Sequence, residues 1–409
     1  MLGSISPGLS VSGKGIDSSY VKGAIALMIL TNGKAYLEGK WKTGLDILVE
    51  DGKIADIKPR GVQKEGQVVD AQGGYIAPGF IDIHIHGSNG SDVMDASLKS
   101  LENISHFLAG NGTTSWLATT MTMSKNEVRS SLKAAWEYMK SGYTGAQLLG
   151  IHLEGPFLNP SAKGAHAEQH ILPPTIENYR AITEGFPGLV RLVTIAMEQE
   201  GALELAAYLK EKNITPSLGH TRGNYRQCMS AIAAGVNHAC HFYNAMTPLN
   251  QREPGAVGAI LDSNTVTIEL IADLVHVHPA ALRLAAGVKG RDRVVLITDA
   301  LNAAGLKDGE YESGGMPVYV RNGEARLKDG TLAGSTLTQD KALRNMIKIG
   351  FPSEDVIAML TETPARQIGV NGFKGRLAAG FDADINILDS NFNTVTTFIK
   401  GHAFVKQLN

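Results

Sequence analysis

The sequence predicts an α/β fold, a (β/α)8 TIM-like barrel with a small β-sandwich domain built from both chain ends. Two observations carry this expectation. Within residues 77–371, eight short apolar runs alternate with stretches of helical periodicity, the pattern of parallel β/α units, and eight such units over about 225 residues suit a single barrel. On either side, residues 27–76 and 372–409 read as short strands and tight turns, so the two ends are expected to form one β unit. The length of 409 residues, with 43% hydrophobic and 19% charged residues, is that of a globular chain able to bury a core.

In chain order, residues 1–26 are rich in Gly and Ser and read as a flexible extension. They lack the basic start and long apolar stretch of a signal peptide. Thr31-Asn-Gly33 is a turn, and Asp51-Gly52 is a hairpin turn between strands Asp46–Glu50 and Lys53–Ile57. Barrel strands are expected at Phe80–His86, Thr113–Thr119, Leu148–Glu154, Val190–Ala196, Thr215–His220, Val236–His241, Val266–Ile271 and Val294–Asp299. Ala202–Lys210 and Tyr225–Ala233 read as helices between them, the second closed by Gly235. Toward the end, Ala383–Leu388 and Thr394–Ile399 read as strands, and Lys400-Gly401 turns the chain before Ala403–Lys406. No sequence repeat of 20–50 residues is present.

Composition narrows the function. Lys and Arg number 38 against 40 Asp and Glu, a net charge of −2 with no basic run, which argues against nucleic-acid binding. Two cysteines, Cys228 and Cys240, exclude a disulfide framework and fit a reducing compartment, so the expected location is cytoplasmic. No apolar run reaches the roughly 18 residues of a membrane span.

The chemistry lies at the strand ends. His84-Ile-His86 closes the first strand, and side chains two apart on a strand share a face, so both imidazoles can converge on one ion. Gly87 after them is expected to let the chain turn sharply. Glu154 ends the third strand, where a carboxylate is costly unless paired or on a metal, and its two oxygens can bridge two cations. His152, two residues earlier, reads as a packed or hydrogen-bonded histidine. His220, His241 and Asp299 end the fifth, sixth and eighth strands. Barrel active sites lie at the C-terminal ends of strands, and this nitrogen and carboxylate set suits one or two ions of zinc, iron, cobalt or manganese with no thiolate. Cys240 reads as a packed small residue.

The span from about 28 to 409 resembles the N-acetylglucosamine-6-phosphate deacetylases of the amidohydrolase superfamily. The motifs that carry the resemblance are Pro78-Gly-Phe-Ile-Asp-Ile-His-Ile-His-Gly87, His152-Leu-Glu-Gly-Pro-Phe157, Leu218-Gly-His-Thr221 and His241-Phe-Tyr-Asn-Ala-Met246. They continue with Arg252-Glu-Pro-Gly255, Ala272-Asp273 with His276, Leu296-Ile-Thr-Asp299 and Gly330-Thr-Leu-Ala-Gly-Ser335. The resemblance implies that Glu154, His220 and His241 bind one metal, that His84 and His86 serve a second, and that Asp299 is the catalytic acid–base and a metal neighbour. Glu154 stands where many other amidohydrolases use a modified Lys. The resemblance further implies that His166 meets the sugar or amide oxygen, Asn244 and Ala245 the phosphosugar, and Leu332 the acetyl group. It implies that Arg252 and His276 hold the phosphate, with Arg252 supplied across a homodimer. Two departures stand out: Leu274 where the family has Gly, and Cys240 where Thr is common.

The expected activity is hydrolysis of N-acetylglucosamine 6-phosphate to glucosamine 6-phosphate and acetate, or of the galactosamine epimer. Another amidohydrolase, a cyclic amidase or deaminase, is disfavoured by the lack of an obvious bridging Lys and by Arg252-Glu-Pro-Gly255. A non-catalytic sugar-phosphate binder is disfavoured by the intact ligand set.

Overall fold

The computed structural model of the chain describes residues 27–404, so the extension expected at 1–26 lies outside the described residues. Eight parallel strands follow one another round a barrel: β1 (Phe80–Ile85), β2 (Thr113–Thr119), β3 (Gln147–Glu154), β4 (Val190–Ile195), β5 (Thr215–Leu218), β6 (His238–Ala239), β7 (Thr267–Ile271) and β8 (Val294–Ile297). Every residue of β1, β2, β7 and β8 is buried, as expected of strands covered on both faces. The ring closes between β8 and β1, where the Asp299 amide donates to the His84 carbonyl at 2.9 Å and the Thr298 hydroxyl to the buried Asp82 carboxylate at 2.6 Å.

Helices pack outside the strands, each started by a local signal. Ser124 and Glu127 form a reciprocal capping box on α2 (Lys125–Ser141). Asn224 and Gln227 do the same for the helix Tyr225–Ala233. Helix α1 (Leu98–Ala109) buries Leu101, Ile104 and Leu108, the i, i+3, i+7 stripe of an amphipathic helix.

Five strands stop short of their expected ends. β1 and β4 end one residue early, at Ile85 and Ile195, and β5, β6 and β8 end two residues before His220, His241 and Asp299, which adopt left-handed φ values of 46°, 21° and 49°, outside the strand region. Gly87 also differs from expectation. The turn falls at Asn89-Gly90 (φ 50° and 79°), and Gly87 instead lets backbone approach closely: a Cβ there would meet the Ser91 carbonyl at 2.3 Å.

Both chain ends share one six-stranded sheet, in which Tyr75–Pro78 lies antiparallel to Ile385–Leu388. A second sheet of four strands comes wholly from Met28–Asp70. Their facing side chains, Leu30, Ile47, Ile54, Ile76, Ile385 and Phe398 among them, make a separate small core. The Asp51-Gly52 hairpin adopts φ 48° and 76°, a primed turn suited to twisted strands. Buried Lys374 is held by Asp382 at 3.0 Å and Asp384 at 2.6 Å, and Asp384 also takes a bond from Gln147 of β3.

One element escapes the sequence reading. After β8 the chain forms a four-stranded antiparallel sheet, Gly309–Ser313, Met316–Arg321, Glu324–Arg326 and Leu332–Gly334, turned at Gly314-Gly315 and Asn322-Gly323. Its last strand brings Leu332 over the barrel mouth. Among the described residues no helix is long and apolar enough to cross a membrane.

Candidate metal centre and pocket

One buried carboxylate organises the mouth of the barrel. Glu154 Oε2 lies 3.2 Å from His84 Nε2 and 3.1 Å from His86 Nε2, while Oε1 lies 3.1 Å from His241 Nε2 and 3.4 Å from His220 Nε2. Each oxygen thus faces one histidine pair. Asp299 Oδ1 sits beside the first pair, 3.2 Å from His86 Nε2 and 3.5 Å from His84 Nε2. His220 Nε2 and His241 Nε2 are 2.9 Å apart, and His220 Nδ1 is tied to the Ala162 carbonyl at 2.8 Å. That tie puts the proton on Nδ1 and turns the Nε2 lone pair inward. All six residues expected as ligands are therefore brought together, and the nitrogen–carboxylate donor set fits a divalent transition metal.

The electrostatics agree with that fit. Burial pulls the His84 ring down, but Glu154, Cys240, Glu269 and Asp299 outweigh it and hold the ring well above its ordinary range. In the same contest, burial against bonds to Asp299 and Glu154, His86 is driven to about 9. Burial raises the Glu154 carboxyl, yet His84, His166, His220 and His241 keep it well below the usual carboxylate range. Asp299 is held low too, His84 and His86 overcoming burial. A field that holds protons on these rings holds a cation in their place.

His166 is different. Burial takes it down to about 4, so it is neutral at pH 7. Its Nδ1 accepts from the Thr122 amide at 3.2 Å, which leaves the proton on Nε2, 3.7 Å from Glu154 and facing the pocket. Gly155 makes room for this arrangement, since a Cβ there would lie 2.0 Å from the Thr122 hydroxyl. Cys240 does more than pack: its thiol lies 3.2 Å from Glu154 Oε1, and burial pushes it up, so it remains a protonated donor. His152 is hydrogen-bonded to Thr194 at 2.8 Å.

Above the centre opens a pocket of about 350 Å³ whose lining includes His166, Asn244, Ala245, His276 and Leu332, five of the residues expected to meet substrate. Arg252 is exposed and is not part of that lining. The cation that lines it is Arg222, which the sequence reading passed over and whose guanidinium is anchored on the Ser161 carbonyl at 2.6 and 2.9 Å. His276 is aimed by Asp273, which takes its Nδ1–H at 2.6 Å and caps the turn through the Val275 and His276 amides, both at 2.9 Å. Within that turn Leu274 adopts φ 69°, a glycine-like conformation held by a residue with a Cβ.

Glu269 was also missed. It is fully buried in β7 and bonded to His84 Nδ1 and His238 Nε2, each at 2.9 Å. The signal was a lone acid inside Thr267-Ile-Glu-Leu-Ile271. At the opposite end of the barrel a depression of about 400 Å³ is lined by Asn237, Thr267, Arg293, Gln367 and neighbours, with none of the candidate ligands.

Residues 75–404 match the amidohydrolase family. The chain is 40% identical to the N-acetylglucosamine-6-phosphate deacetylase of Bacillus subtilis (strain 168) over 366 residues, covering 88% of this chain and 92% of that one. It is 38% identical to the N-acetylgalactosamine-6-phosphate deacetylase of Escherichia coli O157:H7, covering 89% and 96%. Among solved structures, the N-acetylglucosamine-6-phosphate deacetylase of Pasteurella multocida superposes with a TM-score of 0.88 at 31% identity, covering 92% of this chain and 99% of that one.

Proposed function

The chain belongs to the amidohydrolase family and, within it, to the N-acetylglucosamine-6-phosphate deacetylases, and from that membership and its site we propose that it hydrolyses N-acetylglucosamine 6-phosphate to glucosamine 6-phosphate and acetate. The observation that carries the reading is Glu154, with one oxygen on each histidine pair and Asp299 beside it in a pocket that also holds His166 and His276. A second reading, the galactosamine epimer, draws on the 38% identity to a deacetylase of that sugar.

Glu154, His220 and His241 would hold one divalent metal, and His84 and His86, with Asp299 adjacent, a second; zinc, iron, cobalt and manganese all suit these donors. When bound, such an ion acidifies water and polarises a carbonyl. Asp299, kept ionised by its histidine neighbours, takes a proton from the attacking water and returns it to the leaving nitrogen, without which an amide nitrogen is a poor leaving group. His166, a neutral ring with its proton on the pocket side, donates to the developing oxyanion. His276, aimed by Asp273, meets the phosphate, and binding there orients the amide over the centre. Asn244 and Ala245 border the sugar and Leu332 the acetyl methyl.

Arg252, exposed on its own subunit, serves the neighbour's phosphate in a homodimer. A guanidinium can grip a phosphate with two parallel bonds. Mixing Arg252→Ala subunits with Asp299→Asn subunits should restore part of the activity at low substrate, since one complete site forms per mixed dimer. No recovery in verified mixed dimers removes the shared arginine. A phosphorylated sugar as substrate is in keeping with work in the cytoplasm, the location we propose.

The test is acetate release from both phosphosugar epimers and from unphosphorylated N-acetylglucosamine, in metal-depleted and metal-restored protein. Metal-dependent release from the glucosamine substrate is expected. Full activity in demonstrably metal-free protein, or hydrolysis of a cyclic amide with none of either phosphosugar, overturns the reading.

A further inference from the structure

We propose that Glu269 is a positioning residue for the second-ion half of the centre: it fixes the His84 ring with Nε2 toward the metal, and it also bonds the backbone amide of His241. The inference rests on the metal-centre reading above and extends it to a residue outside the ligand set.

A carboxylate in the middle of β7, with no exposure to water, is an expensive choice. A packed apolar side chain of similar volume is often as good or better for stability. The bonds that Glu269 makes say what it is for. Oε2 accepts from His84 Nδ1 at 2.9 Å and from the His241 amide at 3.0 Å. Its own backbone carbonyl accepts the Phe242 amide at 2.8 Å. One residue of β7 thus grips one ligand from each histidine pair. With the His84 proton held on Nδ1, the Nε2 lone pair can only point toward Glu154 and Asp299, which face it at 3.2 and 3.5 Å. The other rings of the centre lean on weaker supports, His220 on the Ala162 carbonyl and His166 on Thr122. Among the described residues, His84 is the candidate ligand whose far nitrogen rests on a carboxylate.

Glu269 is itself fixed from below. Its Oε1 is bonded to His238 Nε2 at 2.9 Å, His238 Nδ1 lies 3.2 Å from Gln367 Oε1, and the Gln367 amide donates to Thr267 at 2.8 Å. This bonded chain runs from the depression at the amino-terminal end of the barrel up to the mouth. Glu269 is therefore in place before any ligand enters. Outer partners of this kind orient the ring and strengthen its basicity, and losing one costs roughly 10–100-fold in metal affinity.

The experiment is a competitive chelator titration with Co²⁺ on wild type, Glu269→Gln, His84→Gln and the double variant. Glutamine keeps the shape but removes the negative charge from the His84 ring, and its NH2 opposes a donor unless it faces His238 with that ring's proton moved to Nδ1. Glu269→Gln is expected to weaken the second ion by about 10–100-fold with the first largely retained, and to add nothing in the His84→Gln background. Unchanged affinity for two ions, additive losses in the double variant, or a wild type that takes up only one ion each overturns the proposal. If Glu269→Gln does not fold, the wild type decides. In zinc-loaded protein with ¹⁵N-labelled histidine, the ring signal absent from His84→Gln should be the Nδ1–H tautomer, and an Nε2–H tautomer overturns the proposal. Weakened second-ion binding in a protein that releases no acetate would sustain this inference while ending the proposed activity.

Discussion

The two histidine pairs of the centre reach the same carboxylate by different means. His84 and His86 are carried by one extended strand and its end, where alternation alone points both rings the same way. His220 and His241 come from separate strands, 21 residues apart, each at a left-handed φ. Such backbone costs on the order of 1–3 kcal/mol per residue and persists only where the surroundings over-determine it. The supports are visible: the Asn159 amide on the His220 carbonyl at 3.0 Å, and Glu269 on the His241 amide at 3.0 Å. Asp299, also left-handed, is bonded at both its amide (2.9 Å) and its carbonyl (2.7 Å). The fold concentrates strain on the split pair and on the acid–base, and leaves the strand pair relaxed. The positions that bear strain are the ones the reaction should miss most.

That difference can be broken from the strained side. His241→Asn should abolish the ion expected at Glu154, His220 and His241 and lower acetate release by more than the ~10–100-fold that loss of an outer partner costs. Metal analysis together with the product assay checks it, and retained metal with retained turnover would make the strain irrelevant to function. Next in size, Asp299→Asn should cut kcat by about 10²–10⁴-fold with KM little changed, because an amide cannot carry the proton. Near-normal kcat removes Asp299 from the mechanism. On the relaxed side, His84→Gln with His86→Asn should lower metal content by one ion and activity by on the order of tenfold, about 1.4 kcal/mol of barrier. A complete loss with the first metal retained would reverse the ranking of the two pairs.

The smallest effect sharpens the comparison through pH. In metal-free protein the His86 ring has a folded pKa of about 9 against an ordinary 6.5. A raised folded value contributes stability that is full below about 6.5 and lost as pH rises through about 9. The depressed Glu154 and Asp299 carboxyls act oppositely, contributing above the ordinary carboxylate range and losing that contribution as pH falls through their folded values. The melting temperature of chelator-treated protein should therefore fall between pH 6.5 and 9. Zinc-loaded protein should escape that fall, since a ligand ring binds only when deprotonated. Parallel melting curves for the two forms would show that the ring carries no such proton.

How much of this could be read from the letters follows the same divide. His84 and His86 announce themselves as two like residues at strand spacing, and the eight apolar runs are legible because parallel strands buried on both faces have no polar alternation to blur them. His220, His241 and Asp299 were legible as strand ends but not as left-handed residues, so those three strands were drawn too long. Glu269 was harder to read for a different reason: a lone acid inside an apolar strand signals a buried carboxylate, but its partners His84 and His238 lie 185 and 31 residues away in the chain, so nothing local says what it bonds. The sheet between 309 and 334 is hard to read although Gly314-Gly315 and Asn322-Gly323 are its hairpin turns, because its strands are short and only partly buried, so no long apolar run marks them. Arg222 follows His220 by two residues, yet only the folded loop turns it toward the pocket that Arg252 of the same chain does not reach.

The pairing of Tyr75–Pro78 with Ile385–Leu388 imposes an order of events on synthesis. Strand β1, which carries His84 and leads into His86, follows that sheet directly through Gly79, whose amide is tied to the Asp384 carbonyl at 2.8 Å. The segment that anchors the first ligands is thus made some 300 residues after them, a delay of about 15–60 s at 5–20 residues per second. During that interval the edge of Tyr75–Pro78 facing Ile385–Leu388 has no partner, and β1 must await β8 to close the ring. A nascent chain of this protein therefore has two histidines available to bind metal ions well before it has a centre to put them in, and the Tyr75–Pro78 edge stays open until Ile385–Leu388 has been made.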